Sequence, residues 1–140
     1  MITIQEAKSK KEITEFIKFP FSLYKDNKYW VPPLIADELE TFDKTKNPAF
    51  ENAEAYFFVA KRNEEIVGRI ATIINWDEVN NQQKKKVRFG WFDVIDDITV
   101  TQALLKKVYE LGRKNNLDYV EGPMGFSNLD KVGVLTEGFE

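Results

Sequence analysis

Cysteine and histidine are both absent from the 140 residues of this sequence. Without cysteine the chain cannot form a disulfide, present a thiolate nucleophile or bind a metal through sulfur. Without histidine it lacks the base of serine-hydrolase triads and the commonest metal ligand, so we predict no metal site. Proton transfer would therefore fall to Asp, Glu, Lys or Tyr side chains, or to ordered water.

Long apolar runs and a strong charge of one sign are missing as well. The N-terminal segment "MITIQEAKSK" predicts neither a signal peptide nor a membrane span, so we expect a cytoplasmic protein without a membrane partner. The formal net charge of -3 disfavours nucleic acid as a partner. The cationic run at residues 84–86 is interpreted as a solvated loop. A hydrophobic content of 43% is enough to fill the core of one domain.

The apolar patterns predict, in order, a strand, two helices, three antiparallel strands, a long helix and a last strand. Ser9 with Glu12 predicts a capping box, and Pro20 predicts a break or kink in the first helix. The segment "YFFVAKRNEEIVGRIATIIN" predicts a hairpin, in which Gly68 indicates a bulge or a close backbone approach. Strands on either side of the long helix predict a parallel crossover in a mixed sheet, which makes the class α+β (α/β).

The order of elements, with "FFVAKRNEEIVGRIATI" and "NNLDYVEG", resembles the GNAT acyltransferases. With "WVPPL" and "GPM", the chain more narrowly resembles the N-terminal part of a longer bacterial GNAT-like group. The resemblance implies one GNAT-like domain over residues 1–140, with helices on both faces of the sheet. A complete GNAT domain continues with a helix and two more strands. We therefore expect an incomplete domain, whose tail from about Phe126 is mobile or pairs with another molecule, for example in a homodimer.

The family binds acetyl-CoA through a Gln/Arg-x-x-Gly-x-Gly/Ala motif before the long helix, and "DDITVT" stands there instead. Asp96 occupies the Arg/Gln position, and Thr99 and Thr101 occupy the glycine positions. Threonines crowd a phosphate and aspartates repel it, so we predict weak or no acetyl-CoA binding. Thr99 with Gln102 fits a capping box instead, which predicts a loss of about 1 kcal/mol for Thr99→Ala. Asp97 would favour the positive end of the helix.

The resemblance also implies positions for the site. Residues of the strand before the long helix, Phe92, Val94 and Ile95, could contact an acyl-CoA through their backbone. In the turn that follows, Asp97, Thr99 and Thr101 could lie at its phosphates. Asp93 lies where the family often places a carboxylate base. The alternative for Asp93 is a carboxylate that faces solvent or caps the turn.

Two further groups of residues complete the candidate site. Glu121 and Ser127, as catalytic candidates, and Asn128, in the acceptor cleft, would lie at the gap between the two parallel strands; their alternative is turn chemistry and helix capping. Tyr24, Tyr29 and Trp30 could line the acceptor cleft, and their alternative is core packing.

The function that follows from the resemblance is transfer of an acyl group from acetyl-CoA or another acyl-CoA to a small-molecule or amine acceptor. Catalysis in such a site is mainly positioning and removal of one proton. The alternative, favoured by the missing glycine motif and the missing histidine, is a degenerate GNAT-like module that binds a ligand or partner without catalysis.

Overall fold

The computed structural model of the chain describes residues 1–137. The strands are β1 (Ile2–Glu6), β2 (Ala53–Arg62), β3 (Glu65–Asn75), β4 (Lys86–Val94) and β5 (Tyr119–Glu121). The helices are α1 (Lys10–Leu23), α2 (Ile35–Phe42), α3 (Trp76–Asn80) and α4 (Ile98–Lys114), and a short 3-10 helix covers Pro48–Glu51.

The five strands form one mixed sheet in the order β1-β2-β3-β4-β5. Neighbouring strands are antiparallel except for β4 and β5, which run parallel because α4 carries the chain back across the sheet between them. The α+β (α/β) class, the hairpin of β2 and β3 and the parallel crossover are thus confirmed.

The hairpin turns at Asn63 and Glu64, whose φ angles are 52° and 66°. Two positive φ angles in a two-residue loop are typical of the turn that matches strand twist. The register of the hairpin shifts beside Gly68, and a Cβ atom on Gly68 would lie 2.8 Å from Cγ1 of Val100 in α4. The predicted bulge and the predicted close approach at this glycine both occur.

Helix α1 begins with the predicted capping box. The backbone N–H of Glu12 donates to Ser9 Oγ at 3.1 Å, and Glu12 Oε1 accepts from the Ser9 backbone N–H at 3.0 Å. Pro20 lies buried inside this helix, which continues to Leu23, so the proline does not end it.

Two expectations about the connecting segments are wrong. The segment "PPLIADELETFD" predicts a helix with proline in its first turn, but the N-cap of α2 is Leu34, so prolines 32 and 33 precede the helix. The polar loop after β3 contains the short helix α3, and Lys86, interpreted as part of a solvated loop, is the first residue of β4 and only 5% exposed. A lysine is buried there because two carboxylates bind its ammonium group.

Helix α4 is capped by Asp97 and not by Thr99. Asp97 has an extended backbone with φ -152°, whereas Thr99 already lies in the first helical turn, so its backbone N–H donates to Asp97 Oδ1 at 2.9 Å. At the other end Asn116 has a φ of 58° and the Leu117 N–H donates to the Gly112 carbonyl at 2.8 Å. An asparagine just after a helix predicts such a left-handed closure, and the structure confirms it.

Helices cover both faces of the sheet, as expected from the resemblance. Helices α1 and α2 cover the face that we call the α1/α2 face, whose buried apolar residues are Ala7, Phe16, Ile17, Phe42, Ala55, Phe57, Val59, Ala71, Ile73 and Trp91. Helix α4 covers the opposite α4 face, whose buried apolar residues are Phe58, Ala60, Val67, Ile70, Ile74, Val87, Val100, Leu104 and Val108.

The segment after β5 folds back over the α1/α2 face. The Phe126 ring lies 5.1 Å from that of Phe50 and 5.8 Å from that of Trp91, and Arg88 binds Asn128. The expectation that the tail from about Phe126 has little to pack against is wrong for this part. Residues 132–137 are exposed, and the remaining three residues of the predicted tail, 138–140, lie outside the described residues.

Candidate functional site

A bulge in β4 shapes the centre of the site. Asp93 pairs with Arg69 of β3, but Gly90 pairs with Ala71, so β4 has one residue more than β3 in this interval. Trp91 in the bulge has a φ of 45°, a conformation that is strained for a bulky side chain. The bulge brings Trp91 and Asp93 to the α1/α2 face.

Asp93 is held from two sides. Arg69 Nε donates to Asp93 Oδ2 at 2.9 Å, and the Tyr24 hydroxyl donates to Asp93 Oδ1 at 2.6 Å. Arg69 is buried, donates to the Phe16 carbonyl at 3.0 Å and lies 5.0 Å over the Phe16 ring. Asp93 is therefore neither a solvent-facing carboxylate nor a cap of the turn, and its side chain remains 18% exposed.

Tyr24 stays a hydrogen-bond donor in this arrangement. Burial raises the pKa of its hydroxyl well above the usual range, and the hydrogen bond to Asp93 and the negative charge of Asp93 raise it further, against an opposing effect of Arg69. A protonated Tyr24 can fix the orientation of the Asp93 carboxylate over the whole physiological pH range.

Aromatic side chains extend the site from Tyr24 outward. The Trp30 ring lies 5.5 Å from the Tyr24 ring and 5.1 Å from the Phe21 ring. Tyr29 is 50% exposed, and Lys28 lies 5.0 Å over its ring. Of the predicted acceptor-cleft residues, the structure places Tyr24 and Trp30 together beside Asp93, with Tyr29 at the surface next to them in sequence.

Strands β4 and β5 separate where the bulge begins. Their pairing covers only Lys86–Arg88 with Tyr119–Glu121, and the Met124 N–H then donates to the Phe89 carbonyl at 2.9 Å. Beyond that point no strand within residues 1–137 pairs with β4 on the β5 side. The predicted backbone contacts of an acyl-CoA belong to this unpaired stretch or follow it directly: Phe92, Val94 and Ile95.

The carboxylate of Asp97 binds the first turn of α4. Asp97 Oδ1 accepts from the Thr99 N–H and hydroxyl, at 2.9 and 2.6 Å, and Oδ2 accepts from Arg62 at 2.6 Å. The Thr99 side chain, the Arg62 guanidinium and the Thr99 backbone N–H lower the pKa of Asp97 from 3.8 to about 2. The Thr101 N–H reaches the Asp97 carbonyl at 3.5 Å. Asp97, Thr99 and Thr101 thus bind one another where a phosphate would need unoccupied amides.

Glu121 and Asn128 belong to a second cluster, built on two buried cations of β4. Lys86 Nζ lies 2.6 Å from Glu121 Oε1 and 3.1 Å from Glu78 Oε2. Arg88 binds both oxygens of Glu78 at 3.0 and 2.8 Å and donates to Asn128 Oδ1 at 2.6 Å. Burial opposes the charge of Lys86, but hydrogen bonds to Glu121 and Glu78 leave its pKa raised. These contacts tie the segment after β5 to the sheet.

Ser127 lies apart from both clusters. Its side chain is exposed, and Ser127 Oγ accepts from the Leu129 N–H at 3.3 Å, which is turn chemistry. With Lys46 and Asp130 it lines an open polar groove of about 420 Å³ between the end of α2 and the segment after β5. No hydrogen bond within the described residues links Ser127 to Asp93 or Glu121.

Three residues that organise the site were not predicted from the sequence: Arg69, Arg88 and Glu38. Arg69 interrupts the apolar run "IVGRIATII", and a lone charge in a strand buried on both faces is a signal that it has a buried partner. Glu38 in α2 is 5% exposed and accepts from Trp91 Nε1 at 3.2 Å. No local pattern distinguishes it from its exposed neighbour Glu40.

Residues 1–137 contain no group of three or more Asp and Glu side chains arranged to hold a metal ion. Within the same residues, no helix has the length and apolar character needed to cross a membrane.

Solved structures with this architecture decide the fold. A predicted acetyltransferase of Clostridium acetobutylicum with acetyl-CoA matches with a TM-score of 0.63 at 12% identity, over 94% of this chain and 84% of that one. A tandem GNAT protein from the clavulanic acid biosynthesis pathway matches with a TM-score of 0.62 at 15% identity, over 84% of this chain and 34% of that one. The chain has the GNAT fold. An aminoglycoside acetyltransferase from an uncultured soil metagenomic sample, in complex with sisomicin, matches this GNAT fold with a TM-score of 0.59 at 13% identity, over 86% of this chain and 75% of that one.

The relatives found by sequence are much longer than this chain. No family model matches the chain. It is 33% identical over 132 residues to Protein YghO of Escherichia coli (strain K12), which covers 94% of this chain and 34% of that protein. It is 28% identical over 142 residues to the bacterial ceramide synthase of Caulobacter vibrioides (strain NA1000 / CB15N), which covers 99% of this chain and 36% of that protein. The chain spans about a third of the length of these relatives.

Proposed function

We propose that the chain is part of an acyl-CoA-dependent N-acyltransferase of the GNAT type, with a small-molecule amine as acceptor. Its fold is that of acetyltransferases, one of which is a complex with acetyl-CoA. One relative is a ceramide synthase, and a ceramide is by definition an amide of a long-chain amine with a fatty acid. Both lines of support point to the same bond, an amide formed on an amine nitrogen.

The observation that carries the proposal is the position of Asp93. Its carboxylate lies on the strand that parts from β5, is oriented by Tyr24 and Arg69, and remains partly exposed. In the proposed reaction the amine nitrogen attacks the thioester carbonyl, the N–C bond forms and the C–S bond breaks. The nitrogen loses a proton to Asp93, directly or through water, and the released CoA thiolate takes a proton from solvent. Tyr24 and Arg69 act as positioning residues.

A rival function is binding without catalysis, and one observation favours it. At the start of α4, where the family binds the phosphates of acetyl-CoA, the Asp97 carboxylate accepts from the Thr99 N–H and the Asp97 carbonyl accepts from the N–H groups of Val100 and Thr101. We therefore expect weak or no acetyl-CoA binding by this chain. An acyl-CoA could still use the unpaired backbone of β4, because main-chain contacts do not depend on the missing glycines.

A thiol-release assay separates the two functions. The chain, and any longer natural form that contains it, would be incubated with acetyl-CoA or palmitoyl-CoA and a long-chain amine such as sphinganine. If Asp93 is the base, Asp93→Asn lowers kcat/KM about 100-fold or more. The matched control is Asp118→Asn, an exposed carboxylate between α4 and β5 and outside the proposed site, which should leave the rate unchanged. Saturable acyl-CoA binding without thiol release would instead support the rival, and an unimpaired Asp93→Asn enzyme would exclude Asp93 as the base.

A cytoplasmic location, a homodimer and the absence of a nucleic acid partner remain predictions from the sequence. The catalytic roles of Glu121 and Ser127 and the acceptor-cleft role of Asn128 likewise remain predictions; in the structure Glu121 binds Lys86 and Asn128 binds Arg88, both residues of β4.

A further inference from the structure

Glu38 is a buried carboxylate that uses one of its two oxygens as a hydrogen-bond acceptor within the described residues. It projects from α2 to the α1/α2 face, is 5% exposed, and accepts from Trp91 Nε1 through Oε1 at 3.2 Å. Its other oxygen, Oε2, accepts no hydrogen bond from residues 1–137, and both contacts of the carboxylate within these residues, to Trp91 and Lys131, are made by Oε1. Burying a carboxylate is costly unless a cation or several donors compensate it. The site therefore favours a cation that reaches Glu38 from solvent.

A primary ammonium group of the chain itself stands at this position. Lys131 Nζ lies 3.9 Å from Glu38 Oε1 and 6.0 Å from the centroid of the Trp91 ring. These distances are those of a loose ion pair and a distant cation–π contact, because a closed hydrogen bond would be near 2.8 Å. The Lys131 side chain is 46% exposed, so its ammonium group can leave without unfolding the segment that carries it.

The site adjoins the Asp93 carboxylate. Trp91 and Asp93 lie on the same face of β4, and residues two apart on a strand are separated by about 7 Å. Arg69, which binds Asp93, also interacts electrostatically with Glu38. An ammonium group bound at Glu38 and Trp91 would thus lie beside the group that we propose as the base.

We propose that Glu38 and Trp91 form a recognition site for a primary ammonium group, and that Lys131 occupies the mouth of this site until an amine ligand displaces it. This inference rests on the proposed function, whose acceptor it defines as a primary amine that enters as its ammonium form. The bound ammonium loses one proton to solvent before its nitrogen attacks the thioester, and it loses the second to Asp93 as the amide forms. The carboxylate supplies the charge, the indole face supplies a cation–π contact, and Lys131 lowers the apparent affinity by competition.

The test uses n-butylammonium chloride as the probe and n-butanol as its neutral counterpart, without any acyl-CoA. The readout is the Trp91 indole N–H resonance, identified among the three tryptophans through Trp91→Phe. We expect a saturable shift with n-butylammonium and none with n-butanol. Lys131→Gln should tighten the dissociation constant about two- to fivefold, the range expected for an exposed ion pair that no longer competes.

Glu38→Gln should weaken n-butylammonium binding about tenfold or more, because the amide keeps the Trp91 hydrogen bond but loses the charge. The matched control is Glu40→Gln, an exposed glutamate of the same helix, which should change nothing. If Lys131→Gln fails to tighten binding, or Glu38→Gln fails to weaken it, the proposal is wrong. Lys131 is exposed, so its variant gives a result even if Glu38→Gln does not fold. Thiol release without amine binding at Trp91 would refute this site alone, whereas amine binding without thiol release would refute the proposed catalysis alone.

Discussion

The two faces of the sheet differ in what they bury. The α4 face is packed with aliphatic side chains, and its buried polar side chain, Thr72, carries no charge. The α1/α2 face buries five charged side chains on two strands and two helices: Arg69, Lys86, Arg88, Glu38 and Glu78. Two of these, Arg69 and Lys86, bind the partly exposed carboxylates of Asp93 and Glu121. Since buried charges cost free energy, a face that keeps so many of them is the one where binding or chemistry is to be sought.

The largest effect should come from breaking an ion pair on the charged face. Arg88→Met removes both hydrogen bonds to Glu78 and the donors to Asn128 and the Gly125 carbonyl. We expect a loss of about 4 kcal/mol in the free energy of unfolding, within the range for a buried pair that loses one partner. Urea denaturation measures it. The double variant Glu78→Met with Arg88→Met should recover only part of the loss, because Lys86 then keeps Glu121 alone as its carboxylate partner. A double variant less stable than Arg88→Met would contradict this account.

On the α4 face, stability should depend on the volume of the buried side chains and not on charge. Leu104 is fully buried between α4 and the sheet, so Leu104→Ala should cost about 3 kcal/mol through lost contacts and a cavity. The same substitution at Leu129, which is 96% exposed, should cost almost nothing. Equal denaturation midpoints for Leu104→Ala and the wild type would mean that α4 is not docked as described.

A hydroxyl on each face gives a finer comparison. Tyr24 donates to the partly buried Asp93, so Tyr24→Phe should cost about 1.5 kcal/mol, as for a hydrogen bond to a charged group. Tyr56 donates to the exposed Glu54, so Tyr56→Phe should change stability by less than about 0.5 kcal/mol. Thermal denaturation of both variants checks the difference, and equal losses would show that the Asp93 cluster is no stronger than a surface contact.

The smallest effect concerns Asp97 and depends on pH. Hydrogen bonds from Thr99 and the Arg62 guanidinium lower its pKa from 3.8 to about 2, so the ionised form stabilises the fold. This contribution is complete above the unfolded value of 3.8 and is lost as the pH falls through about 2. Asp97→Asn keeps a capping side chain but should reduce the loss of stability between pH 5 and pH 2, as measured by denaturation midpoints. An unchanged pH profile would contradict the interaction with Arg62.

The capping role of Asp97 changes the stability loss expected for Thr99→Ala. Since Asp97 is the N-cap, Thr99→Ala removes only the hydroxyl that donates to Asp97 Oδ1. The effect of Thr99→Ala should therefore be smaller than that of Asp97→Ala in the same denaturation experiment.

Much of the fold could be predicted from the sequence because its signals are local. The capping box of Ser9 and Glu12, the hairpin turn and the left-handed Asn116 each depend on a few adjacent residues. The organisation of the site depends on pairs far apart, such as Arg69 with Asp93 and Glu38 with Trp91. Neither partner of such a pair has a sequence pattern that names the other, so Asp93 and Tyr24 were predicted as separate candidates and Arg69 was not predicted at all.

The close contact between Gly90 and the backbone of Met124 makes the position of the segment after β5 sensitive to substitution of this glycine. A Cβ atom there would lie 2.1 Å from the carbonyl oxygen of Met124, and backbone cannot rotate aside as a side chain can. A single methyl group at Gly90 would push the backbone of the segment after β5 away from β4. The segment after β5 carries Phe126, Asn128 and Lys131. One added carbon atom would therefore move Phe126 off Trp91, strain the hydrogen bond between Asn128 and Arg88, and draw the Lys131 ammonium group away from Glu38, all at once.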